Sequence, residues 1–170
     1  MAKYHHKESD LQIRFVHWFR VTWPEFARLL EHPKNEGIGH SADDRRRQII
    51  SKKEGVQAGV ADIIFHVPSE SFYLHGEYQE EPYRFHSLAI EFKTKTGRQS
   101  DDQKLFQRYF EAAGGQYEIV RDFESACKVA YDYVHGIPYT IAQALRDLHE
   151  QIEQEKTDAA RRELQRIINK

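Results

Sequence analysis

LAIEFKTKTGRQSDDQKLFQRYFEAAGGQYEIV, from Leu88 to Val120, is the stretch whose reading decides the fold. It opens on the apolar run Leu88-Ala89-Ile90, which continues through Glu91 and Phe92 to Lys93 and predicts a strand. Thr94 to Gln99 contains Gly97 and predicts a turn. From Ser100 onward, Leu105, Phe106, Tyr109 and Phe110 share one side of a helix, and Gly114-Gly115 stops it. Tyr117 to Val120 then returns as a strand. Strand, helix and strand in this order predict a right-handed crossover that sets Ile119-Val120 parallel to Ala89–Lys93.

Upstream, Leu11, Phe15, Trp18, Phe19 and Thr22 form one stripe of a helix over residues 8–22. Trp23-Pro24 ends or bends it, and a shorter helical piece follows from Phe26 to Leu30. His32 to His40 has loop composition, and Ser41 opens a charged helix from Ala42 to Lys53. Val60 to Val67, Ser71 to Tyr78 and Tyr83 to Lys93 are three predicted strands. Downstream, Asp122 caps a helix to about His135. The order predicts an α/β sandwich, a mixed sheet flanked by helices. After Pro138, Ile141, Leu145, Leu148 and Ile152 form one helical stripe. Ala160, Leu164, Ile167 and Ile168 form a second stripe, in another register. A docked hairpin and an oligomerisation arm both fit, so residues 1–136 are expected to form the core domain and 137–170 a helical extension.

A chain of 170 residues, 39% hydrophobic, is long enough to bury one core. No apolar run approaches the roughly 18 residues of a membrane span, and Met1 to Asp10 is polar, so neither membrane nor signal peptide is expected. The single cysteine, Cys127, excludes an internal disulfide or a multi-cysteine zinc site and points to a cytoplasmic setting; its neighbours place it on the inner face of a helix. A net charge of −2 does not mark a nucleic-acid binder as a whole. Two local clusters are basic: Arg45, Arg46 and Arg47 with Lys52 and Lys53, and Lys93 with Lys95 and Arg98. Solvated surface and phosphate contact are both open readings of them. The ten histidines show no zinc spacing, and Gly55 to Gly59 lacks the Gly-Lys-Ser/Thr ending of a phosphate-binding loop.

Residues two apart on a strand share a face, so Glu91 and Lys93 project together while Ile90 and Phe92 face the other way. Alone, this pair reads equally as a strand-end ion pair. Gly55-Val-Gln-Ala-Gly-Val-Ala-Asp62 adds a second carboxylate at the mouth of another strand, where Gly55 and Gly59 permit a tight turn or close approach. If the two strands pair, Asp62 and Glu91 meet. Two carboxylates with nearby carbonyls suit Mg²⁺ or Mn²⁺, and the lysine suits a developing phosphorane.

In order, Gly55-Val-x-Ala-Gly-Val-x-Asp62, Ile90-Glu-x-Lys93 and Gly97-Arg98-x-Ser100-x-x-Gln103-Lys104 resemble the VRR-Nuc (virus-type replication-repair nuclease) family of the PD-(D/E)XK superfamily. The resemblance runs from about Glu8 to Phe123, with Glu8-x-x-Leu-Gln12 similar to the family's opening helix. It implies a restriction-endonuclease-like core and metal-dependent hydrolysis of DNA, with branched, flapped or junction DNA as substrate and a homodimer as the working unit. A non-cleaving DNA-binding module and a restriction- or toxin-type nuclease are the alternatives. By resemblance, Asp62, Glu91 and the Phe92 backbone carbonyl bind metal, Lys93 is the catalytic lysine, and Glu8 approaches the metal directly or through water. Gln103 is the polar residue beside the site, although Ser100-x-x-Gln103 also reads as a capping box. Glu8 likewise also reads as an acid favouring its helix N-terminus. Ala61 stands where the family has proline, and residues 66–87 are longer than the compact hairpin expected.

Overall fold

The computed structural model describes residues 7–33, 49–50, 53–74 and 77–168. Helix α1 (Lys7–Thr22) is followed by a short 3₁₀ helix (Pro24–Leu29) with proline in its first turn, where a missing N–H costs nothing. Strands β1 (Leu30–Glu31), β2 (Ile63–Phe65), β5 (Leu88–Phe92) and β6 (Gln116–Val120) make one sheet in the order β1-β2-β5-β6. β1 pairs antiparallel with β2, and β2 with β5, whereas β5 and β6 are parallel. Helix α2 (Asp101–Ala112) makes the crossover between the parallel strands, and α3 (Phe123–His135) follows β6.

All five residues of β5 are buried, as expected of a central strand covered on both faces. On one face Leu88, Ile90 and Phe92 join Phe15 and Phe19 of α1, Phe26, and Ala126, Ala130 and Tyr133 of α3. On the other, Ala89 packs with Ala61 and Tyr117 beneath Phe106 and Phe110 of α2. The two-faced burial makes the α/β sandwich predicted from residues 88–120. Cys127 is half-buried rather than fully inside, because Ala126 and Ala130 take the inner face of α3.

Two predicted strands differ from the structure. Tyr83 to Lys93 is not one strand: it breaks at His86-Ser87, and β4 (Glu77–Phe85) pairs with β3 (Ser69–Leu74) in a separate two-stranded sheet. The break follows from backbone pairing. His86 donates its N–H to the Gly114 carbonyl, and Gln116 donates to the Ser87 carbonyl, which fastens the link to the start of β6. Tyr78 consequently lies on the return strand, paired with Tyr73, instead of ending the previous one. The long segment after β2 is this hairpin, anchored by the Tyr133 hydroxyl donating to the Val67 carbonyl and the Ser69 hydroxyl donating to that of Tyr133.

Past Pro138, a single helix α4 (Tyr139–Ile168) replaces the hairpin alternative; its two stripes lie on one continuous rod. A helix of this length spans about 45 Å. Its described packing is against the 3₁₀ helix, supported by Arg146 with Glu25. Most of the predicted helix from Ala42 to Lys53 lies outside the described residues.

Gly59 has φ +80°, and a Cβ there would lie 2.4 Å from the backbone carbon of Asp102. The glycine therefore serves close approach of α2 to the segment before β2. Gly59→Ala should destabilise the fold by about 2 kcal/mol or more, from left-handed backbone cost plus the clash, measured by denaturant unfolding.

Candidate active site

Antiparallel pairing of Ile63 with Ile90 brings Asp62, one residue before β2, beside Glu91 near the end of β5. Asp62 Oδ2 accepts the N–H of Phe92 at 2.8 Å, closing the two strand ends together. Glu91 and Lys93 share a face as their spacing predicts: Lys93 Nζ lies 2.6 Å from Glu91 Oε1, with only 11% and 1% of the two side chains exposed.

Gln103 completes the capping box of α2 and also reaches Glu91. Its Oε1 accepts the Ser100 N–H at 2.9 Å and its own N–H donates to Ser100 Oγ at 3.2 Å, completing the capping box of α2. Its Nε2 meanwhile donates to Glu91 Oε1 at 2.5 Å. The cap fixes the first turn of α2 so that the amide is delivered to the buried carboxylate. Tyr117 Oη, from β6, donates to Glu91 Oε2 at 3.4 Å.

Glu8 reaches the rim of this cluster from the first turn of α1. Its Oε1 accepts the Thr94 N–H at 2.7 Å, just past the end of β5. The turn that follows is held by Arg121, whose guanidinium donates to the carbonyls of Thr94 at 2.5 Å and Gly97 at 2.9 Å. Lys95 and Arg98 stand exposed on that turn, and Lys53 is exposed on the segment leading to Gly55. Arg45, Arg46, Arg47 and Lys52 lie outside the described residues. His32, Tyr117 and Arg121 are site neighbours that the sequence reading did not single out, and Gln12 was quoted only within the opening-helix motif, without a role. Gln12 alone carried a signal, lying one helical turn beyond Glu8.

Burial pushes the Glu91 carboxyl up to about 7, helped by the Asp62 carboxylate and opposed by Lys93 and the Tyr117 hydroxyl. Burial also raises Asp62, against the Phe92 N–H and the positive charge of Lys93, while Glu8 adds further negative charge. Burial foremost, and then Glu91, hold the Tyr117 hydroxyl well above its usual range. Asp62 and Glu91 thus share the positive charge of Lys93, with His32 also acting on Asp62 and Glu8 adding negative charge at the rim. Among the described residues no three His, Cys, Asp or Glu side chains converge as a ready metal cage. The donors that do converge, two carboxylates on adjacent strand ends, are hard oxygens of the kind that fit a divalent cation of the Mg²⁺ or Mn²⁺ type.

No family model matches the chain. No curated protein matches it either. Among solved structures, one described as a VRR_NUC domain protein superposes with a TM-score of 0.57 at 16% identity, over 76% of this chain and 88% of that one. The chain therefore shares the fold of that VRR_NUC domain protein, as the resemblance implied. Among the described residues no helix is long and apolar enough to cross a membrane.

The raised Glu91 carboxyl has a thermodynamic signature. It ionises near 4.5 in the unfolded chain and at about 7 in the fold, so between those values the native state binds the extra proton. Its contribution to stability is complete below pH 4.5 and is lost as pH rises toward 7, by roughly 3 kcal/mol. Subtracting the stability–pH profile of Glu91→Gln from that of the native chain, both in chelator, should reveal this downward slope. A flat difference would contradict it.

Proposed function

We propose that this protein is a metal-dependent nuclease that hydrolyses DNA phosphodiester bonds. The supporting observation is the meeting of Asp62, Glu91 and Lys93 at the ends of β2 and β5 within a VRR-Nuc fold. Mg²⁺ or Mn²⁺, bound by Asp62, Glu91 and the Phe92 carbonyl with Glu8 acting directly or through water, would supply Lewis-acid activation of the phosphodiester and of water. In-line attack builds negative charge on the phosphoryl oxygens, and Lys93, already desolvated beside Glu91, offers fixed positive charge to it. Gln103 holds the Glu91 carboxylate in one orientation, so little reorganisation accompanies the reaction.

Exposed Lys53, Lys95 and Arg98 serve as contacts to backbone phosphates, joined by Arg45, Arg46, Arg47 and Lys52 on sequence grounds. Such contacts position DNA without reading its bases. From the VRR-Nuc resemblance, branched, flapped or junction DNA is the substrate class, and a homodimer is the unit that acts on it. The far half of α4, where Leu164 and Ile167 are 60% and 63% exposed, supports an arm for that dimer.

Linear, flapped and four-way DNA incubated with Mg²⁺, Mn²⁺ or chelator provide the test. Cleavage is expected with metal and not with chelator, is abolished in Asp62→Ala, and falls about a hundredfold in Lys93→Met. No cleavage of any substrate with either metal would return the reading to a DNA-binding module, and full activity in Asp62→Ala would remove the proposed site. In light scattering, truncation after Gln151 should reduce a dimer to a monomer; an unchanged mass would discard the arm.

A further inference from the structure

The carbonyl of Asp62 lies where both ladders of β2 give out. β1 pairs with β2 only at Leu30 with Phe65 and Glu31 with Ile64, and pairing with β5 begins at Ile63. A carbonyl beside a partly buried site still needs a donor. Two side chains supply it: His32 Nδ1 at 2.6 Å and Gln12 Nε2 at 3.3 Å, the two nitrogens being 2.9 Å apart. Because a carbonyl oxygen only accepts, Nδ1 carries the hydrogen, and the Gln12 amide then donates to the carbonyl and not to the ring.

The donors arrive from different elements for a topological reason. His32 is the first residue beyond β1, so its side chain takes up the β2 backbone where main-chain pairing stops. Gln12 lies four residues after Glu8 on α1, hence on the same face. That face holds the exit of β5 through the Thr94 N–H and the entrance of β2 through the Asp62 carbonyl.

We propose that His32, assisted by Gln12, is a positioning residue for Asp62: it locks the peptide plane that aims the Asp62 carboxylate at the Phe92 N–H and keeps it opposite Glu91. The functional consequence, a correctly placed metal-binding carboxylate, rests on the nuclease reading above. The positioning itself does not.

The test uses the full chain with His32→Ala and His32→Asn, since an asparagine amide nitrogen sits close to where Nδ1 does. Amide hydrogen exchange at Phe92 reports the bond to Asp62 directly, and Lys93 N–H, bonded to the Val120 carbonyl, is the internal control. In His32→Ala, Phe92 exchange should rise several-fold with Lys93 unchanged, and Mn²⁺ affinity by calorimetry should fall about tenfold. His32→Asn should restore both. Unchanged Phe92 exchange, a joint rise at Phe92 and Lys93, Mn²⁺ affinity equal to that of a metal-binding native chain, or failure of asparagine to rescue would each overturn the proposal. A native chain that neither binds Mn²⁺ nor cuts DNA, yet shows the selective Phe92 response, would refute the nuclease reading and uphold the positioning role.

Discussion

Taking a carboxylate out of water costs several kcal/mol unless charge and hydrogen bonds are returned to it, and β5 buries Glu91 to 1% exposure. Lys93 returns the charge from two residues further along, just past the end of β5. Gln103 reaches down from α2 and Tyr117 across from β6, so two neighbouring elements contribute to one side chain. Compensation is incomplete, since the carboxyl still holds its proton to about pH 7. A structural ion pair would be better served by a second cation.

The sandwich makes this arrangement possible by ending its two middle strands at one place. Antiparallel β2 enters where β5 leaves, so Asp62 and Glu91 come from positions far apart in the chain yet share a rim. Gly59 allows the backbone of α2 to press against the segment leading into β2. Helix α1 fastens both ends through Glu8 and Gln12, and Arg121 fastens the turn beyond. The hairpin β3–β4 lies outside this frame, inserted between two strands that pair directly with each other. It lengthens the chain between Asp62 and Glu91 without separating them.

Local pattern was enough for the elements that matter most to the site. The apolar run ending in Glu91 and Lys93, the amphipathic helix closed by Gly114-Gly115 and the return at Ile119-Val120 specify a parallel crossover, and β5 and β6 pair accordingly. Period-two alternation placed Glu91 and Lys93 on one face, and Ser100-x-x-Gln103 marked the start of α2. Where strands follow one another without a helix, the pattern was weaker. Tyr83 to Lys93 reads as one continuous strand because both parts carry aromatic and branched residues, and only the backbone bonds at His86 and Ser87 show that the chain changes sheets.

The sequence by itself determined the crossover, the faces of the strands and the candidate trio Asp62, Glu91 and Lys93, because these depend on spacing within short segments. Tertiary structure alone decided who completes the cluster. His32, Gln12, Tyr117 and Arg121 acquire their places from groups left unpaired where strands end: a carbonyl at Asp62, carbonyls at Thr94 and Gly97, and the second oxygen of Glu91. Which backbone and side-chain groups remain unpaired is settled only when the strands have paired, and local periodicity records no more of it than the helical spacing of Gln12 from Glu8.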